Sequence, residues 1–161
     1  MTHFGRVIRM LTKTTINAIQ ALMYIAQHPG EGPVPPLEIA KRLKASPTYL
    51  GKIHTQLAKA NLLRTHRGAH GGVTLGRPPA EITLLDVVEA CQGKVLGDYC
   101  APHDNLNEVC AFHEAMYRLQ EATLSVLSAW TLEMLLARPG PAKRLMDKVN
   151  CFMLCTLPEK R

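Results

Sequence analysis

The chain has 161 residues, the length of one domain or of one domain with an appendage. Hydrophobic residues make up 47% and charged residues 20%, which excludes a disordered chain, a collagen-like repeat and a disulfide mini-protein. The net charge of +6 is unevenly spread: residues 1–80 hold eleven Lys+Arg and two acids, a balance of +9, whereas residues 81–161 hold eight and eleven, a balance of −3.

From Ile39 to Ala80 there is no Asp or Glu, yet the stretch carries Lys41, Arg42, Lys44, Lys52, Lys59, Arg64, Arg67 and Arg77. A solvated face ordinarily mixes both signs, so an acid-free basic stretch points to a polyanionic partner. No run approaches the roughly 20 apolar residues of a membrane helix. The N-terminus MTHFGRVIRMLTK lacks the apolar core and cleavage site of a signal peptide. A cytoplasmic protein without membrane contact is expected. Five cysteines, an odd number, argue against a closed disulfide framework.

In chain order, Thr12 is placed to cap a helix from Lys13, with Ile16, Ile19, Met23 and Ala26 at helical spacing. His28-Pro29-Gly30 ends it. Pro36 suits the start of a short helix with Leu37, Ala40 and Leu43 inward. After a turn at Lys44-Ala45, Ser46 and Pro47 read as cap and first residue of a helix running to Ala60. Leu50, Ile53 and Leu57 mark its buried side; Thr48, Tyr49, Lys52, Thr55, Gln56 and Lys59 mark its polar side. Two short helices across a tight turn, the second polar and basic outside, make a helix-turn-helix. Leu62–Thr65 and Val73–Leu75 then flank the basic, glycine-rich tip His66–Gly72, the pattern of a β-hairpin wing.

Thr83 and Asp86 approach a capping box for a helix over Leu84–Cys91, with Ile82 and Val87 in staple positions. Gln92–Glu108 reads as irregular. A long helix is expected from about Val109 to Ala137, with Phe112, Met116, Leu119, Val126, Trp130 and Met134 on one apolar stripe. Such a stripe needs a partner surface, and a second copy of the chain is the simplest. A last helix would hold Leu145, Val149 and Phe152. The expected fold is therefore mainly α: a winged helix-turn-helix with a small β-hairpin wing and a long dimerisation helix. Its parts are a DNA-binding unit (1–80), a linking helix with a cysteine-bearing sensor loop (81–108), and the dimerisation helix with a helical tail (109–161).

Several segments together resemble the IscR/NsrR/CymR, or Rrf2, family of bacterial winged-helix regulators. They are Leu11-Thr12-Lys13, Ala21-Leu22-Met23-Tyr24-Ile25-Ala26, Ile39-Ala40, Ser46-Pro47-Thr48-Tyr49-Leu50 and Ile82–Ala90. The most specific is the wing, Arg67-Gly68-Ala69-His70-Gly71-Gly72-Val73-Thr74-Leu75. The resemblance covers roughly residues 10–137. It implies a homodimeric regulator, a repressor, bound to a palindromic operator in double-stranded DNA. The helix from Pro47 would enter the major groove, and the wing would reach an adjacent minor groove or the backbone. Candidate DNA contacts are Thr48, Tyr49, Lys52, Gln56, Lys59, Arg67, His70, Gly71 and Gly72. Other readings of the same residues put Tyr49 over the first helix, Lys59 in solvent, and Gly71 and Gly72 in the turn alone. His54, close to the buried side, reads as packing.

Many members of the family hold an iron–sulfur cluster on three cysteines placed before the dimerisation helix. Cys100 and Cys110 match the outer two positions here, but no thiol lies between them. His103 and Asp104 are the nearest substitutes. Cys110-Ala-Phe-His113 reproduces the Cys-x-x-His spacing of the IscR branch, with both donors on one helical face. The resemblance thus implies a site of Cys100, Cys110 and His113, with His103 or Asp104 as fourth ligand, holding a two-iron, two-sulfur cluster. The same donors suit zinc. Without a metal, Cys100 and Cys110 suit a reversible thiol switch, and a metabolite or partner protein is a further possible signal. Cys91, Cys151 and Cys155 read as buried structural cysteines. No P-loop, G-x-G-x-x-G, G-x-S-x-G or H-E-x-x-H motif is present, so an enzyme is not expected.

Overall fold

A computed structural model describes residues 10–28, 32–68, 71–94, 105, 107–145, 148–149, 151 and 153. Helix α1 spans Lys13–Ala26, and Thr12 caps it by accepting a hydrogen bond from the Thr15 amide at 3.2 Å. The expected one-sided stripe understates this helix. Ala18, Ala21, Leu22 and Ile25 are buried along with Ile19 and Met23, while Ile16 is only half-buried. The reason is position: α1 is the central rod, packed by most of the other elements.

Helix α2 (Pro36–Leu43) begins on Pro36 and ends at Lys44 in the left-handed conformation, φ 52°. Leu37, expected inside, is 54% exposed. Ile39, Ala40 and Leu43 fall within an arc of about 100° on this short helix, and Leu37 lies outside it. Helix α3 (Pro47–Lys59) starts as expected, with the Ser46 side chain accepting from the Tyr49 amide at 3.2 Å. Leu50, Ile53 and Leu57 are buried, and Asn61 at φ 55° turns the chain out of the helix.

Strands β1 (Leu63–His66) and β2 (Gly72–Leu75) pair antiparallel, Leu63 opposite Leu75 and His66 opposite Gly72. A feature that short-range pattern does not reveal ties this wing down. Val34, before α2, forms a two-hydrogen-bond bridge with Val73, both bonds 2.9 Å.

A 3₁₀ turn (Pro79–Glu81) leads to α4 (Leu84–Gln92). The capping box at its start is complete: Thr83 Oγ1 accepts from the Asp86 amide and Asp86 Oδ2 accepts from the Thr83 amide. Burial alone would raise the Asp86 pKa. The Thr83 hydrogen bonds and the Arg77 guanidinium at 3.2 Å outweigh it and hold the carboxyl below its ordinary value.

The expected single helix over 109–137 is two. Helix α5 (Ala111–Ala129) stops at Trp130, which is extended, and α6 (Leu132–Ala137) restarts on a Thr131 cap. The break has a tertiary cause. The Trp130 carbonyl accepts from the Leu84 amide at 2.8 Å, and the Leu132 amide donates to the Ile82 carbonyl at 2.8 Å. Those bonds satisfy an open donor at the start of α4, and Leu132 enters the core. Of the apolar stripe, Phe112, Leu119, Val126 and Met134 are exposed. Where a last helix was expected, the described residues include a 3₁₀ turn, Lys143–Leu145, with Leu145 and Val149 exposed; residues 146, 147, 150, 152 and 154–161, Phe152 among them, lie outside the described residues. One core unites α1, α2, α3, the wing, α4 and Leu132. Among the described residues no helix is long and apolar enough to cross a membrane.

Candidate nucleic-acid interface

Helix α3 owes its placement to its own apolar side. Leu50, Ile53 and Leu57 lock onto the core, and 3.6-residue periodicity then turns Thr48, Lys52, Thr55 and Lys59 outward, all exposed. Tyr49 is half-buried and its hydroxyl donates to Thr14 Oγ1 at 3.2 Å, so it rests over the first helix. Gln56 is also half-buried. Its Nε2 lies 3.5 Å from the Cys91 carbonyl, directing the side chain toward the end of α4 rather than away from the protein.

Beside α3 stands the wing. A groove of about 760 Å³ runs between them, bordered by Gly51, His54, Thr55, Lys59, His66 and Gly68. Arg64 and Arg67 are exposed on the wing; His70 lies outside the described residues. Gly68 holds φ 107°, a conformation that favours glycine. Gly71 and Gly72 have a different reason. A Cβ on Gly72 would lie 2.6 Å from the Val34 carbonyl oxygen, and one on Gly71 would meet the His66 carbonyl. Their smallness lets backbone pass backbone at the wing's root.

His54 borders this groove at 5% exposure, as its position on the buried side foretold. Its Nε2 has no hydrogen-bond partner among the described residues. Burial therefore holds the imidazole below its ordinary pKa. Thr55 and His66 were not among the expected contacts. Thr55 sits on the same outward face as Lys52 and Lys59, and His66, 2.9 Å from Thr74 Oγ1, ends β1 at the groove. The helical period signals the first; the hairpin register is needed for the second.

The cysteines separate by environment. Cys110 is exposed at the cap position of α5, and His113 is half-buried one turn along. Cys100, His103 and Asp104 lie outside the described residues. Among the described residues no three His, Cys, Asp or Glu side chains group as a metal site. Cys91 is half-buried and desolvation pushes its thiol up to about 11, the behaviour of a packing cysteine. Cys151 is half-buried; Cys155 lies outside the described residues.

A helix-turn-helix with a basic outer face, continuous through a groove with a glycine-rich basic wing, defines a DNA-binding regulator of transcription. The family model for Rrf2, "iron-dependent transcriptional regulator", matches residues 11–138, and the chain belongs to the Rrf2 family. It is 36% identical over 134 residues to protein aau3 of Rhizobium meliloti, covering 80% of this chain and 86% of that protein. With the regulator NsrR of Geobacillus kaustophilus the identity is 34% over 142 residues, covering 86% and 97%. The solved structure of CymR, the global cysteine regulator of Bacillus subtilis, superposes with a TM-score of 0.65 at 29% identity, covering 79% of this chain and 95% of that one. These relatives place the chain among regulators of transcription rather than enzymes.

Proposed function

We propose that this chain is a homodimeric repressor that binds a palindromic operator in double-stranded DNA. The observation that carries the reading is the outward, acid-free face of Thr48, Lys52, Thr55 and Lys59, of which Thr55 and Lys59 border the groove to the wing. Lys52 and Lys59 would meet phosphates, Thr48 and Thr55 base edges, and Arg67 with His70 the adjacent minor groove or backbone. Tyr49 and Gln56 contribute by holding α3 against α1 and α4. The exposed apolar residues Phe112, Leu119, Val126 and Met134 support a second copy as the partner of α5 and α6. On this reading the parts divide as DNA-binding unit 1–80, linking helix and sensor loop 81–108, and dimerisation region 109–161, in the cytoplasm.

The signal would enter after α4. Cys110 and His113 are two accessible donors on one turn, which fits one side of a two-iron, two-sulfur cluster completed by Cys100 and by His103 or Asp104. Such a cluster would supply a redox-sensitive charged centre. The exposure of Cys110 also favours a second reading, a metal-free Cys100/Cys110 thiol switch.

Two measurements test this. Affinity for a random-sequence duplex should fall steeply with salt, and Lys52→Ala should flatten that dependence. A flat salt dependence in the wild type ends the DNA-binding reading. Protein purified without oxygen should be brown, with iron and sulfide near stoichiometry. A colourless, metal-free protein whose DNA affinity changes on thiol oxidation replaces the cluster with the thiol switch.

A further inference from the structure

His54 has no task among the outward contacts of α3, although it borders the groove between that helix and the wing. Only 5% of the residue is exposed, and its Nε2 is buried with no hydrogen-bond partner among the described residues. A buried polar atom without a partner costs stability that an apolar side chain of similar size would not. Such an atom in a native fold calls for a role. At this place, between a recognition helix and its wing, the role open to an imidazole is to take up a proton.

The groups around the ring set the conditions for that. Among the described residues bordering the groove, α3 contributes Lys59 and β1 contributes His66, while the start of α2, the wing turn and β2 contribute no ionisable side chain. No acid borders it. In the free protein, burial opposes the charged imidazole and no neighbouring charge offsets that effect. A duplex laid across α3 and the wing changes the balance. DNA carries one negative charge per roughly 1.7 Å of its axis. With water displaced from the groove, that charge acts on the ring through a medium of low dielectric. The imidazolium, disfavoured alone, is then favoured.

We propose that His54 couples DNA binding to protons: the ring is neutral in the free protein, gains one proton when a duplex closes the groove, and so tightens the complex as the medium becomes acidic. This rests on the DNA-binding reading above and adds a regulation of that same face. The direction follows from linkage. The DNA-bound ring holds its proton more firmly than the free ring, so affinity rises as pH falls through the bound value and levels off below the free one.

The test measures affinity of the full-length chain for a random-sequence duplex at fixed salt across a pH series. Affinity should rise several-fold between about pH 7.5 and pH 6. Each unit by which the duplex raises the ring's pKa is worth about tenfold. His54→Gln keeps a polar side chain but takes up no proton, so its profile should be flatter. His66→Gln removes the exposed imidazole of the same groove and should leave the His54 part of the rise in place. If His66→Gln flattens the profile and His54→Gln does not, the wing imidazole is the sensor and the proposal falls. A second measurement needs no variant. The ring-nitrogen resonances of His54 in the wild type, recorded at about pH 6.5 with and without duplex, should read neutral alone and protonated in the complex. A ring that stays neutral in the complex, or an affinity that falls as pH falls, overturns the proposal while the DNA-binding reading stands. A wild type that binds no duplex at any pH overturns both.

Discussion

Thr15 Oγ1, in the first turn of α1, donates a 2.8 Å hydrogen bond to Oε1 of Gln92, the last residue of α4. The same oxygen accepts from the Thr12 amide at 3.2 Å, and Gln92 Nε2 donates to the Met10 carbonyl at 3.3 Å. One side chain thus joins the start of the central helix to the end of the helix that leads toward Cys100. Thr15 is fully buried, but its hydroxyl also lies 2.9 Å from Thr12 Oγ1, so each hydrogen bond lost with Gln92 costs about its net value. Gln92→Ala should destabilise the chain by about 1–3 kcal/mol. Urea unfolding should show a lower midpoint at unchanged slope.

Gly72 offers a packing test independent of DNA. An added Cβ would press on the Val34 carbonyl, which is bonded to Val73. Backbone, unlike a flexible side chain, has little room to yield. Gly72→Ala should cost about 1–3 kcal/mol, read as a lower thermal midpoint. Gly68→Ala meets open space but keeps a positive φ, so its cost should be about 1 kcal/mol.

His54 makes stability depend on pH in a stated direction. Its folded pKa lies below its unfolded value, so the unfolded state binds the proton first. The stabilising contribution is whole above the unfolded pKa of about 6.5 and is lost as pH falls toward the folded value. Unfolding free energy should therefore drop as pH falls through and below about 6.5. His54→Leu should flatten that part of the profile. An equally steep profile in the variant would assign the drop to another group.

The cysteines should react unequally. With a pKa of about 11, Cys91 is only ~0.1% thiolate at about pH 8, and it is half-buried as well. Cys110 is exposed. Alkylation of the folded protein, followed by peptide mass spectrometry, should label Cys110 well before Cys91. In denaturant the two rates should converge.

Local rules made much of this architecture readable from the chain. Thr12, Ser46 and Thr83 announce helix starts because a cap acts on an amide only three residues away. Leu50, Ile53 and Leu57 show their buried side because the helical period is constant. The acid-free stretch 39–80 locates the basic face, since charge is counted without coordinates. The wing follows from two short extended runs around glycines.

Contacts between distant segments were not readable in that way. The stop at Trp130 depends on Leu84 and Ile82, some 46 to 50 residues away along the chain, offering hydrogen bonds worth more than another helical turn. Local periodicity, blind to them, ran the helix on to Ala137. Gln56 has the spacing of an outward residue, but α4 lies against that flank and turns it toward Cys91. Asn17 looks like an ordinary polar helix residue until the turn carrying Lys44 and Ser46 closes over it. Capping, periodicity and charge act over a few residues and are written in the chain itself; burial and the choice of hydrogen-bond partner depend on which surfaces meet, and only the folded chain brings those surfaces together.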